Sequence, residues 1–200
     1  MDTTYAKPDT LIGAALAPLD WTRSAGLAVG FSLLTALAAQ IKIPIGPVPI
    51  TGQTFAVLLT GALLGSRLGS AAMVAYLVEG ACGLPFFNGG ASGPMHLMGV
   101  TGGYLVAFPA AAFVTGAFAE HGWDKRFTTA VAAMTIGSLI ILGSGWAWFS
   151  IITRTDPLSA FRVAIAPFLI GDVVKILLAA ALLPAGWALL SGSGSKVRRR

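Results

Sequence analysis

The chain has 200 residues, of which 56% are hydrophobic and only 10% are charged, against about 25% charged in an average soluble domain. The mean hydropathy of +0.80 indicates an integral membrane protein, and at about 20 residues per span this length leaves no room for a separate soluble catalytic domain. The single cysteine, Cys82, excludes an intramolecular disulfide. Two histidines far apart in sequence, His96 and His121, do not predict a metal site, and we expect no cofactor.

The net charge of +5 does not indicate nucleic acid, because the basic residues flank apolar segments as they do on the cytoplasmic side of membrane proteins. Residues 1–24 show no signal-peptide pattern and are predicted to be a cytoplasmic segment. Residues 191–200 are predicted to form a basic cytoplasmic tail, either an anchor on anionic lipid or a docking site for a partner.

The first apolar helix is predicted from about Gly26 to Gln40. Gly26 and Gly30 lie one turn apart, which leaves a face where another backbone can approach closely. Residues 42–53 follow with prolines at 44, 47 and 49, so they cannot be helical. We predict a stiff apolar loop lying over the bundle as a lid, with Thr51 or Gln53 capping the next helix and lining the space below.

The number of helices between residues 53 and 82 is open, since the segment is either one long span or two short spans divided at residues 65–69. Two helices give a six-helix bundle with nine basic residues on the cytoplasmic side against three outside, whereas one helix gives seven against four and leaves Arg67 in the membrane. The positive-inside rule therefore favours two. The predicted fold is an all-α integral membrane protein, with six transmembrane helices in one bundle over residues 25–190 and both termini cytoplasmic.

The loop at residues 83–103 has seven glycines, two prolines and no formal charge, which is typical of a segment whose backbone approaches a ligand. Asn88 is either a ligand contact or a turn residue before Gly89. Glu79, just before the loop, is either a second buried carboxylate or a side chain that reaches the interface. Further helices are predicted over residues 104–118 and 128–149, and then a loop over residues 154–162.

The last apolar run, residues 164–190, carries Asp172 and Lys175 on one face of a helix, with Phe168 one turn earlier. Charges inside such a run are costly in lipid and are expected to face the protein interior or a cavity. The two charges therefore indicate either a polar ligand site or a structural ion pair.

Four motifs follow one another along this chain: the Pro-rich run at residues 44–54, the run at residues 61–69, Tyr76 with residues 83–87, and residues 167–175 with their Gly-Asp-x-x-Lys core. Together they resemble the BioY family of biotin-specific substrate-binding (S) components of energy-coupling-factor (ECF) transporters. The resemblance implies a six-helix bundle with its N-terminus inside, biotin bound near the outer face, and the first loop closed over it.

Carried onto this sequence, the resemblance implies polar contacts to biotin and a surface for a partner. Asp172 and Asn88 would bind the ureido group, Lys175 would neutralise either Asp172 or the ligand carboxylate, and Thr51 and Gln53 would lie near the lid. Further candidates for the ligand site are Tyr76, Glu79, Phe86, Phe87 and Phe168. The surface for the transmembrane energising subunit would use Gly26 with Gly30, or Ala25 with Ala28.

The sequence has no G-x-x-x-x-G-K-[ST] phosphate loop, so energy for uptake would come from partner subunits or from another gradient. The resemblance implies ATP-binding partner subunits and a place in the bacterial cytoplasmic (inner) membrane. Alternative functions are an S component for another small vitamin, or a stand-alone carrier with an intramembrane carboxylate as its proton site. A membrane enzyme is disfavoured, since no nucleophile, histidine and carboxylate recur at one membrane depth.

Overall fold

The computed structural model describes residues 10–16 and 19–197, with side chains as far as Ser191. The described residues are mostly helical, which confirms the predicted all-α class. In chain order the helices are α1 (Leu11–Leu16), α2 (Trp21–Gln40), α3 (Gln53–Leu64), α4 (Ser66–Ala81), α5 (Pro94–Leu97), α6 (Gly102–Val106), α7 (Phe108–Glu120), α8 (Phe127–Thr153), α9 (Pro157–Ala164) and α10 (Leu169–Val197). Short 3-10 turns lie at Asn88–Gly90, Trp123–Lys125 and Ala166–Phe168.

Several of these helices are long and apolar enough to cross a membrane. In the described part of the chain there are four such segments: Trp21–Gln40, Gly102–Glu120, Phe127–Thr153 and Pro157–Ser191. Helix α3 is apolar but shorter, at 12 residues. The structure is therefore that of a multi-pass membrane protein.

The break between α3 and α4 confirms the predicted division of residues 53–82 into two helices. Gly65 ends α3 with a φ of 87°, a conformation that residues with a Cβ rarely adopt. Gly116 of α7 faces this break so closely that an added Cβ would lie 2.4 Å from the Gly65 carbonyl carbon. Helices α3 and α4 therefore pack on α7 almost backbone to backbone, which glycine permits.

The lid segment contains regular structure that was not predicted. Strands β1 (Lys42–Ile43) and β2 (Ile50–Thr51) pair antiparallel, with Lys42 opposite Thr51. The prolines lie in the connection between the strands, where their missing N–H groups cost no ladder bond. We call the end of the bundle that carries this hairpin the lid end.

The prediction of a plain loop over residues 154–162 is wrong, because α9 occupies most of it. The Asp156 carboxylate accepts N–H bonds from Leu158 and Ser159 at 3.1 and 3.0 Å, and Pro157 stands at the first helical position. Both features favour a helix start. Helix α10 then begins at Leu169, five residues later than predicted, because α9 and a 3-10 turn take up the residues before it.

The N-terminal part of the chain differs from the prediction, and parts of both chain ends lie outside the described residues. Helix α2 begins at Trp21 rather than Gly26, because Asp20 caps it by accepting the Arg23 N–H at 2.8 Å. Helix α1 lies inside the predicted cytoplasmic segment and packs its Leu11 on Gly186 of α10. Residues 1–9, 17–18 and 198–200 lie outside the described residues, as do the side chains of 192–197, so the role of the basic tail stays a prediction.

Candidate functional site

A cavity opens at the lid end, between the β1–β2 hairpin and helices α3, α6, α8 and α10. About 500 Å³ of space free of protein atoms lies between these elements when the open mouth is counted. Its apolar lining is Val48, Pro49, Leu105, Phe108, Leu142 and Phe168. Its polar lining is Thr51, Gln53, Thr54, Asn88, Thr101, Tyr104, Asp172 and Lys175.

Asp172 and Lys175 lie side by side in the cavity wall, one turn apart on α10. Asp172 is only 5% exposed, and its Oδ1 atom lies 4.0 Å from Lys175 Nζ, which is the outer limit of an ion pair. Each head group also has a hydroxyl partner on another helix. Lys175 Nζ donates to Thr54 Oγ1 at 2.9 Å, and Ser138 Oγ donates to Asp172 Oδ2.

A chain of hydrogen bonds connects the lid to the loop at residues 83–103. Thr51 Oγ1 donates to Gln53 Oε1 at 2.9 Å, and Gln53 Nε2 donates to the Tyr76 hydroxyl at 2.6 Å. The Tyr76 hydroxyl in turn donates to the Phe86 carbonyl at 3.1 Å. Because each bond orients the next, the amide of Gln53 is fixed where it borders the cavity.

Asn88 lies at the cavity within the 3-10 turn of that loop. Its Nδ2 is 3.4 Å from His96 Nε2, and the His96 ring stacks on Phe87 with ring centroids 5.1 Å apart. Burial lowers the pKa of His96, which favours the neutral ring, and a neutral ring can accept a hydrogen bond through Nε2. Asn88 can therefore donate to His96 through Nδ2, and its amide oxygen takes no part in that contact.

The predicted residues divide into those that line the cavity and those that lie behind it or away from it. Thr51, Gln53, Asn88, Phe168, Asp172 and Lys175 line it. Tyr76 lies one layer behind, against the cavity residue Phe108, with ring centroids 6.2 Å apart. Phe86 and Phe87 pack around Tyr76. Glu79 is hydrogen-bonded to α2, where its Oε2 atom accepts a hydrogen bond from Ser32 Oγ at 2.6 Å.

Several cavity residues were not predicted from the sequence. Thr54 follows Gln53 directly on α3, and its hydroxyl acquires a role only because Lys175 of α10 donates to it at 2.9 Å. Tyr104 donates to the Ala164 carbonyl at 2.6 Å and fixes the turn before α10. The signal that could have revealed Ser138 and Tyr104 is a lone polar group within an apolar helix, which has to find a partner.

The two pairs of small residues on α2 differ in their surroundings. Gly26 and Gly30 lie on the exposed face, and an added Cβ at either would meet nothing within 4 Å. Ala25 is also exposed, whereas Ala28 packs against the core. The face with the two glycines is therefore the one open to a partner.

The arrangement supplies complementary groups for a small, partly apolar molecule. It offers a carboxylate acceptor, an ammonium donor, amides and aromatic walls within one cavity. Among the described residues, no group of three or more His, Cys, Asp and Glu side chains comes close enough to hold a metal ion. The site is therefore suited to binding an organic ligand through hydrogen bonds and apolar contact.

Comparisons with known proteins identify the family. The probable biotin transporter BioY of Pyrococcus horikoshii is 40% identical over 72% of this chain and 84% of its own length. The biotin transporter BioY of Thermotoga maritima is 37% identical over 75% of this chain and 87% of its own. The crystal structure of the S-component for biotin from an ECF-type ABC transporter shares this fold, with a TM-score of 0.72, 24% identity, and coverage of 82% of this chain and 90% of that one. Residues 8–192 match the BioY family, and the chain belongs to that family.

Proposed function

We propose that this protein binds biotin in the lid-end cavity and delivers it across the membrane as the S component of an ECF-type transporter. The observation that carries the proposal is the pair of buried Asp172 and partly buried Lys175 in a cavity with both polar and apolar walls. The names of the relatives, biotin transporters, suggest the ligand. No catalytic role is proposed for any residue.

Biotin has groups that complement the cavity. Its ureido ring carries two N–H donors and a carbonyl acceptor, its bicyclic body is apolar, and its other end is a carboxylate. In this proposal Asp172 accepts the ureido N–H groups and Asn88 completes the polar contacts. Phe108 and Phe168 wall the rings. The residues behind, Tyr76, Phe86 and Phe87, support these walls, and Glu79 acts on α2 rather than on the ligand.

The ligand's ureido ring is the feature that competing analogues should test. We expect desthiobiotin, which keeps the ring, to displace labelled biotin, and lipoate, which lacks it, to bind at least about 100-fold more weakly. The physical reason is that lipoate would leave buried Asp172 and its neighbours without partners. Competition against labelled biotin on purified protein measures both, and equal competition by the two analogues would contradict this assignment of the site.

In the proposed topology the bundle has six transmembrane helices, and both termini are on the cytoplasmic side of the inner membrane. Helices α3 and α4 would form two short spans, of 12 and 16 residues. At 1.5 Å per residue they reach about 18 and 24 Å, less than the hydrocarbon core, so the bilayer would thin around them. The lid end would then face outward, where the substrate arrives.

Energy for uptake would come from partner subunits, because the sequence contains no phosphate loop for ATP. We place the contact with a transmembrane energising subunit on the exposed glycine face of α2. Gly26 and Gly30 there leave room for another helix backbone to approach closely. ATP-binding subunits would act through that partner.

The glycine face gives a prediction that separates docking from ligand binding. We expect Gly26→Leu with Gly30→Leu to block assembly with the energising subunits and stop uptake, while biotin binding to the isolated protein is unchanged. The reason is that a Cβ added at either position meets nothing within 4 Å in this chain, while two leucine side chains would fill the gap that a partner helix would use.

The measurement is co-purification with co-expressed energising subunits beside biotin binding. Gly143→Leu on α8 is the matched control, since an added Cβ there also meets nothing within 4 Å, and it should leave assembly intact. Normal assembly of the double variant would remove α2 as the docking surface.

A further inference from the structure

Asp172 borders two spaces, and one of them is outside the ligand cavity. A second groove lies between α8 and α10, with about 570 Å³ of space free of protein atoms when its open side is counted, and it shares Asp172 and Leu142 with the cavity. Ser138 lines this groove and donates its hydroxyl to Asp172 Oδ2. Asp172 therefore stands in the wall between the two spaces, with Ser138 behind it.

Ser138 is buried, so its hydroxyl has to form its hydrogen bond within the protein. It is only 2% exposed, and it lies on the buried side of α8, where Ala133, Met134 and Ile141 are also buried. A buried serine hydroxyl requires a partner, and here the partner is an acidic side chain of another helix. A hydrogen bond to an ionised group is stronger than one between neutral groups, so the pair also ties α8 to α10.

The hydrogen bond from Ser138 to Asp172 has a counterpart at Lys175, whose ammonium group also has a hydroxyl partner. Lys175 Nζ donates to Thr54 at 2.9 Å, while it stays 4.0 Å from Asp172 Oδ1. Each charge is thus held by a hydroxyl of a different helix, and the two head groups do not close on each other. If Asp172 and Lys175 formed a close ion pair, their carboxylate and ammonium groups would bind each other and fewer hydrogen-bonding positions would remain for a ligand.

We propose that Ser138 is a positioning residue for ligand binding, which acts through Asp172 and does not touch the ligand. By occupying Oδ2 from the groove side, Ser138 turns Oδ1 toward the cavity, where a ligand N–H group can reach it. The inference rests on the proposed function, since it assumes that Asp172 accepts hydrogen bonds from biotin. It adds a polar residue of α8, the helix that already contributes Leu142 to the cavity lining, to the groups that determine how the ligand is bound.

The test compares two hydroxyl losses on α8. We expect Ser138→Ala to weaken biotin binding about 10- to 100-fold, as loss of a hydrogen bond to a charged group implies. Thr135→Val should leave affinity within about threefold, because the Thr135 hydroxyl donates within its own helix, to the Val131 carbonyl at 2.8 Å. Thr135 lines the same groove, so it matches Ser138 in location.

Ser138→Thr separates a hydrogen-bonding role from a packing role. It keeps the hydroxyl and adds a methyl group, so positioning predicts affinity close to wild type, while a packing role predicts a loss at least as large as for Ser138→Ala. Titration calorimetry measures the affinities, and ligand-free thermal unfolding shows whether each variant is folded. If Ser138→Thr does not fold, the difference between Ser138→Ala and Thr135→Val decides.

The outcomes distinguish this inference from the function on which it rests. Wild-type protein that binds biotin, with Ser138→Ala binding equally well, would overturn the positioning role and leave the proposed function standing. Folded wild-type protein that binds no biotin would overturn both. Weak binding by Ser138→Ala together with recovery in Ser138→Thr is the result we expect.

Discussion

Asp172→Asn is expected to reduce biotin affinity strongly. The substitution keeps the shape of the side chain but removes a buried negative charge, and its amide nitrogen cannot accept an N–H group. Loss of one partner from a buried, charge-assisted contact costs about 2–5 kcal/mol. Calorimetric titration of the variant beside the wild type would show this loss as an increase in Kd of about 30- to 5,000-fold.

The matched control is Asp124→Asn, which changes another buried aspartate at the opposite end of the bundle. Asp124 is 2% exposed, and its Oδ2 accepts from Trp187 Nε1 at 2.6 Å. Burial raises the pKa of Asp124, and asparagine still provides an acceptor oxygen for Trp187. Biotin binding should therefore survive in this variant. Equal losses in the two variants would show that the effect of Asp172→Asn is on the fold and not on the site.

Lys175→Met is expected to weaken biotin binding by a similar amount, about 2–5 kcal/mol. Methionine fills the space of the lysine stem but carries no charge, so Asp172 loses its nearby cation. Because Lys175 Nζ lies 4.0 Å from Asp172 Oδ1, the two head groups face the same part of the ligand. We therefore expect Lys175 to serve the ureido end with Asp172, rather than the ligand carboxylate.

Biotin amide, which lacks the negative charge of biotin, tests that assignment. If Lys175 serves the ureido end, Lys175→Met weakens binding of biotin and of the amide to a similar degree. A loss for biotin alone, with the amide unaffected, would instead place Lys175 against the carboxylate. Parallel titrations of both ligands into wild-type and variant protein give the answer.

The helical parts of this fold were predictable because their signals are local. Gly65 ends α3 through its own backbone conformation, and the apolar runs have the length of spans. Helix α9 was missed although its signal was present in Asp156, which caps it, and in Pro157 at its first position. The β1–β2 pairing was also missed, since its strands have only two residues each, too short for an alternating pattern.

The site was predictable where a charge stood in an apolar run, and not where tertiary contacts decide. Asp172 and Lys175 stand out in sequence because lipid disfavours them, and both line the cavity. Glu79 gives the same signal but faces Ser32 on α2, a difference that depends on how two helices are rotated. Ser138 and Thr54 acquire their roles only through α10, far away in sequence.

Biotin binding by this chain is tested by calorimetric titration of biotin into detergent-purified wild-type protein, with lipoate titrated in parallel. We expect saturable heat from biotin, with one ligand per chain, and binding of lipoate at least about 100-fold weaker. Absence of heat from biotin, in protein shown to be folded by its thermal unfolding, would contradict the proposed function and return Asp172 and Lys175 to a structural ion pair.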